Sequence, residues 1–226
     1  MYKDKVLVLV HVPKTAGSAL TSIICQQYNS NEVFSVSDPS LNIENKVSKI
    51  NENTKVVFGH NYFGQHKNLG PHIHVTMLRD PIDRVISHYY YIKEILKDNE
   101  LTDKYSLEEF AQLDEFSNMQ THFIAGNKQD LEQAINNLST FAFFGITELF
   151  NESLFLMKKT FGWENIAYKK ENVNTKKPKK QTISKEIIKQ IEKANQLDIQ
   201  LYDWAKENFE NRLKTLEETE SKLKED

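Results

Sequence analysis

Pro13, Lys14, Thr15, Ala16, Gly17 and Ser18 place a cation, two hydroxyls and a glycine directly after the apolar run Val6–Val10. A buried strand that leaves through such a loop into a helix aims backbone N–H groups and a positive dipole end at one point, where an anion fits. Lys14 adds a point charge, Thr15 and Ser18 add hydroxyl donors, and Gly17 permits a close backbone approach. The run departs from the phosphate-loop pattern G-x-x-x-x-G-K-[ST], because the first glycine is absent and the lysine precedes the turn. On its residues alone the loop is equally an ordinary strand–helix connection punctuated by Pro13 and Gly17.

A second segment repeats the strand-end arrangement. Val75–Leu78 leads into Arg79, Asp80 and Pro81, and Arg84, Ser87 and Tyr89 follow on the helix that Pro81 opens. The chain has only three arginines, Arg79, Arg84 and Arg212, and two of them lie here. A lysine-preferring sequence that keeps arginine at one place points to a planar bidentate donor, as for a phosphate. The alternative is an Asp80–Arg84 pair at helical spacing, which accounts for Arg84 but not for Arg79. His60 is the third candidate. It follows Val56–Gly59 at a strand end, the rim where open α/β sheets bind ligands, and a histidine there can take a proton from an alcohol.

The elements that position these residues follow from apolar patterning. Short β-branched or aromatic runs at Val6–Val10, Lys55–Phe58, Ile73–Leu78 and Phe141–Thr147 read as strands. Helical patterns fall at Ala19–Tyr28, Ile43–Asn51, Ile82–Leu96, Ser106–Leu113, Asp114–Ile124, Asp130–Leu138 and Asn151–Phe161. The alternation predicts a three-layer α/β sandwich around a mostly parallel sheet. Ser184–Phe209 reads as an amphipathic helix carrying Ile187, Ile188, Ile191, Leu197 and Leu201. Residues 1–209 read as one domain, and 210–226 as a polar helical or frayed tail.

Composition narrows the function classes. The 226 residues carry 29 Lys plus Arg against 32 Asp plus Glu, a net charge of −3, which argues against a global nucleic-acid surface. The single cysteine, Cys25, reads as a small buried residue and excludes an internal disulfide framework. Val6–Val10 is far shorter than the ~20 residues of a membrane span, so the chain reads as soluble and cytoplasmic. His66, His72 and His74 show no spaced metal-ligand set and read as loop or surface residues, and His88 as packing or surface. Tyr89, Tyr90 and Tyr91 read as helix packing, and the lysine-rich stretch from Lys169 to Lys180 as a solvated charge run.

Together, the Pro13–Ser18 loop and the pattern of Arg79, Asp80, Pro81, Arg84, Ser87 and Tyr89 resemble the two cofactor motifs of the sulfotransferases that use 3′-phosphoadenosine 5′-phosphosulfate (PAPS). The stretch His11–Gly17 looks most like the carbohydrate branch that contains the heparan sulfate 2-O-sulfotransferases. Gly59–His60, Asn118–Gly126, Phe144–Glu148, Glu171–Asn174 and Asn195–Tyr202 extend the resemblance over nearly the whole chain. It implies a fold like that of the P-loop nucleotide kinases. Lys14, Thr15, Ala16, Gly17 and Ser18 would hold the 5′ end of PAPS, Arg79 and Ser87 its 3′-phosphate, with Asn174 and Lys177 closing over the nucleotide. His60 would be the general base, Lys14 would stabilise the leaving phosphate, and no metal would be needed. The partner would be a hydroxyl-bearing acceptor, a carbohydrate; composition argues against nucleic acid, and no membrane span is expected. His122 stands where related sequences carry arginine, which bears on acceptor recognition. Two other readings stay open at this stage: an ATP-dependent small-molecule kinase, and a non-catalytic module that binds 3′-phosphoadenosine nucleotides.

Overall fold

The computed structural model describes residues 2, 4–36, 50–66, 69–97, 99–167, 178 and 180–225. Five strands form a single parallel sheet: β1 (Val6–Val10), β2 (Val33–Ser35), β3 (Val56–Gly59), β4 (His72–Leu78) and β5 (Phe143–Ile146). Their spatial order is β2-β3-β1-β4-β5, so β1 is central. Leu7, Val8, Leu9 and Val10 are all buried. Successive side chains on a strand face opposite sides, so burial of all four means that both faces of the sheet are covered. The expected α/β sandwich with a parallel sheet is what the chain forms.

Helices follow the strands: α1 (Gly17–Cys25), α2 (Pro81–Tyr91), α3 (Asn99–Lys104), α4 (Leu107–Gln112), α5 (Met119–Ile124), α6 (Leu131–Ser139), α7 (Phe150–Phe161), α8 (Lys185–Ala194) and α9 (Gln196–Glu225). Their starts are chemically marked. Asp80 caps α2 by accepting the Asp83 N–H at 2.9 Å, with Pro81 in the first turn, and Ser106 with Glu109 forms a capping box on α4. Ser184 caps α8.

The structure departs from the sequence expectations in particular places. β2 is a three-residue strand, too short to show a period, and it gains its identity by pairing with β3. The long helix expected to Leu96 is α2 continued by a π-helical turn at Ile92–Leu96. Asp114–Ile124 is helical only from Met119, because 113–118 form turns. The helix expected over Ser184–Phe209 is two helices, broken at Asn195. α9 then runs on to Glu225, with the Arg212 guanidinium 4.5 Å over the Phe144 ring and Glu220 paired with Lys159. Most of the expected helix Ile43–Asn51 lies outside the described residues, as do Asn174, Lys177 and Lys169–Lys170. Among the described residues no helix is long and apolar enough to cross a membrane.

This strand order fixes where a ligand goes. From β1 the chain moves to one side, to β2 and β3, and then returns past β1 to β4 and β5. β1 and β4 therefore flank the switch point, and a crevice opens beyond their carboxyl ends. Those ends carry Lys14 and Arg79.

Candidate active site

The loop after β1 holds two non-glycine residues in the left-handed region, Lys14 (φ 69°) and Ala16 (φ 63°). Each costs on the order of 1 kcal/mol, and strain of this kind persists where the surroundings enforce it, often at ligand-binding turns. Part of the enforcement is Thr15, which is buried and donates its hydroxyl to the Val12 carbonyl at 2.9 Å. Ala16 occupies the cap position of α1 without a side-chain hydrogen bond, so no side chain of the cap residue takes the first-turn N–H groups of α1. Gly17 is required by packing: a Cβ built there would overlap the His11 ring. Its freedom thus serves a neighbouring side chain of the protein. The Lys14 ammonium lies 3.7 Å from the centre of the Tyr91 ring at the end of α2.

Arg79 closes the other side. Its Nη1 donates to the Lys14 carbonyl at 3.1 Å, which ties the β4 end to the β1 loop. Its backbone is gripped by Gln120 of α5, whose Oε1 accepts the Arg79 N–H and whose Nε2 donates to the Arg79 carbonyl, both at 2.9 Å. Glu148 accepts the Asp80 N–H at 3.1 Å, lies 3.9 Å from Arg79 Nε and takes the Tyr202 hydroxyl at 3.0 Å. Burial and Glu148 together push the Tyr202 hydroxyl well above its ordinary range. Lys180 donates to Asp80 at 3.0 Å and so joins the edge of the lysine-rich stretch to the start of α2.

Gln120 is itself positioned by a buried lock between α5 and α9. Asp198 accepts the Gln120 and Thr121 N–H groups at 3.0 and 2.7 Å and faces Arg84 at 3.9 Å. Asn118 accepts the Leu197 and Asp198 N–H groups at 3.0 and 3.2 Å, while Asn195 returns the contact by accepting the Asn118 N–H at 3.0 Å. The expected Asp80–Arg84 pair is therefore not what holds Arg84. Arg84 is fully buried, donates to the Phe116 carbonyl at 2.8 Å and neighbours Asp198, so it is neither a surface helix pair nor a phosphate ligand. Burial lowers its pKa to about 10, with Asp198 opposing the shift, and the guanidinium stays charged at neutral pH.

His60 leaves the sheet at Gly59, whose φ of 141° is open to glycine alone. Its Nδ1 is 3.0 Å from the His11 carbonyl. A carbonyl can only accept, so Nδ1 carries the proton and Nε2 is the basic nitrogen. The rings of His11 and His60 lie 4.7 Å apart, and His60 meets Phe123 edge-on at 6.5 Å. Burial, then the nearby His60 and Lys14, lower His11 to about 4 and keep it neutral. His60 opens onto a cavity of about 730 Å³ that is also lined by Pro13, Tyr62, His88, Phe123 and His122.

Residues 1–205 match the Sulfotransferase family. The chain belongs to that family. Over 94 residues, 42% of this chain and 15% of the relative, it is 38% identical to human heparan-sulfate 6-O-sulfotransferase 2. Over 82 residues, 36% of this chain and 20% of the relative, it is 37% identical to human heparan-sulfate 6-O-sulfotransferase 1. The chain thus spans no more than a fifth of the length of these two curated relatives. They bear out the likeness to carbohydrate sulfotransferases and carry a 6-O name, whereas the motifs resembled the 2-O enzymes. Among solved structures, mouse sulfotransferase SULT7A1 complexed with PAP aligns with 72% of this chain and 60% of that chain, at a TM-score of 0.44 and 14% identity.

In this sulfotransferase-family chain, Lys14, Ala16, Gly17, Ser18 and Arg79 gather at one crevice, with His60 tied to the same loop through His11. The Thr15 hydroxyl is turned inward, so its side chain shapes the loop. Ser87 is on α2 and 5% exposed. Asn174 and Lys177 lie outside the described residues. His88 packs edge-on against Phe110 and Phe116, and burial, followed by Arg84, Lys14 and His60, lowers it to about 3. His66 is buried rather than a surface residue, and burial beside His72 and His66 lowers His74 to about 4. Cys25 is half-buried, and Tyr91, expected to pack the helix, also carries the Lys14 ammonium. His11, whose sequence position beside the loop suggests that it positions the loop, does so and also holds His60 through its carbonyl, whereas Gln120, Glu148 and Asp198 escaped residue-level reading. Their only signal was the resemblance of Asn118–Gly126, Phe144–Glu148 and Asn195–Tyr202, which gave no roles.

Proposed function

We propose that this protein transfers a sulfuryl group from PAPS to a hydroxyl of a carbohydrate acceptor, with His60 as the general base. The single observation that carries the reading is the bond from His60 Nδ1 to the His11 carbonyl, at 3.0 Å. It anchors the His60 ring on the residue that opens the anion-binding loop and leaves Nε2 as the basic nitrogen, beside a cavity large enough for a sugar.

The residues present fit the nucleotide. The Lys14–Ser18 loop offers N–H groups at an uncapped helix start and a lysine for the 5′ phosphosulfate, and Arg79 with Ser87 is suited to the 3′-phosphate. PAPS supplies an activated sulfuryl group. His60 takes the acceptor hydroxyl proton at Nε2 as the acceptor oxygen bonds to sulfur and the bond from sulfur to the 5′-phosphate oxygen breaks. Lys14 and the α1 N–H groups hold the negative charge that departs with the phosphate. Positioning and preorganised charge do the work, as in phosphoryl transfer, and no metal enters the scheme.

Calorimetric titration with 3′-phosphoadenosine 5′-phosphate against ADP, with and without EDTA, tests the nucleotide. Binding that needs the 3′-phosphate and ignores EDTA is expected, and a magnesium-dependent preference for ADP would favour a kinase. Transfer of labelled sulfate then tests His60. His60→Ala should bind nucleotide normally and lose about 10²–10⁴-fold in turnover, whereas wild-type turnover would remove the base role.

A further inference from the structure

Resting on that reading, we infer that the acceptor is an uncharged saccharide and that the polyanionic chain named in the heparan-sulfate relatives is disfavoured. The cavity beside His60 has an aromatic wall, with the Tyr62 and Phe123 rings 4.7 Å apart and His122 edge-on to Tyr62 at 5.1 Å. Such a wall suits the apolar face of a sugar ring. Its rim carries the carboxylates of Asp114 and Glu115 against one ammonium, that of Lys128.

The arginines are committed elsewhere. Arg79 is bonded to the Lys14 carbonyl, Arg84 is sealed beside Asp198, and Arg212 lies over Phe144. Among the described residues the cavity lining therefore has no guanidinium fork for sulfate or carboxylate groups. The two acids accept hydrogen bonds from sugar hydroxyls and repel an acidic chain, which builds discrimination into the rim. The turn that presents them is held by the Phe116 and Ser117 N–H groups, which donate to the Leu113 carbonyl at 2.8 and 2.9 Å. The backbone that carries the acids is thus held at the mouth.

A pair of probes that differ only in charge tests this. The full chain, saturated with 3′-phosphoadenosine 5′-phosphate, is titrated with a heparosan oligosaccharide and with the same oligosaccharide after carboxyl reduction. The reduced probe should bind about tenfold tighter or better. The exposed double substitution Asp114→Lys with Glu115→Lys should reverse the order, and added salt should erase the reversal. Equal or tighter binding of the acidic probe by the wild type overturns the inference, as does failure of the reduced probe to bind, or an order that the lysines leave unchanged. Loss of nucleotide binding in the saturation step would strike the sulfotransferase reading itself, so the two failures are distinguishable.

Discussion

Substituting Asp198 by alanine tests the lock behind the site. Asp198 and Arg84 are both fully buried, 3.9 Å apart, and Asp198 also accepts two backbone N–H groups of α5 at 3.0 and 2.7 Å. The alanine leaves a charged guanidinium without its carboxylate in a dry interior and orphans both N–H groups. Removing one partner of such a pair costs about 3–5 kcal/mol, against a total stability of roughly 5–15 kcal/mol. For a chain of this length the melting temperature should fall by roughly 10 °C. Urea unfolding read by the two tryptophans, Trp163 and Trp204, gives the free energy directly. Because α5 carries Gln120, which grips the Arg79 backbone, affinity for 3′-phosphoadenosine 5′-phosphate should fall with it. The double variant Arg84→Met, Asp198→Ala, with each single variant beside it, separates the terms. Once neither charge is buried, its loss should be smaller than the sum of the two single losses. A loss under about 1 kcal/mol for Asp198→Ala, or strict additivity in the cycle, would refute the view that the pair is a coupled unit.

Gly17→Ala should lose roughly 1–3 kcal/mol and weaken nucleotide binding, because its methyl group overlaps the His11 ring. Adding His11→Ala should recover part of both losses in calorimetry, and a fully stable single variant would contradict the packing argument. Acid should destabilise the fold. His11 and His74 are held to about 4 and His88 to about 3, chiefly by burial, so from about pH 6.5 downward the unfolded chain takes up protons that the folded chain refuses. Each histidine then removes up to about 1.4 kcal/mol per pH unit. Urea midpoints measured between neutral pH and pH 4 should fall steadily, and a flat profile would show these rings to be hydrated. Tyr91→Leu should cost about 1 kcal/mol through the lost Lys14 contact, whereas Tyr91→Phe should keep it, as urea titration of the pair would reveal.

The legible part of this protein was local. Val6–Val10 announced a strand buried on both faces because every residue in it is apolar, and Pro13–Ser18 announced an anion loop because those residue types suit an uncapped helix start. Arg79 stood out by arginine scarcity, and His60 by its place at a strand end. Tertiary structure alone decided what surrounds them. Gln120, Glu148 and Asp198 are 41, 69 and 119 positions from Arg79 in the chain, and each meets the site only when α5, the turn after β5 and α9 come together at the end of β4. Arg84 looked like a partner of Asp80 because helical spacing permits that pair. Burial removed the option, since a guanidinium excluded from water needs a carboxylate that is excluded with it, and Asp198 was the one that α9 delivered. Gly17 looked like room for a ligand and proved to be room for His11, because a residue's type shows what it can do, whereas packing determines which neighbour uses it.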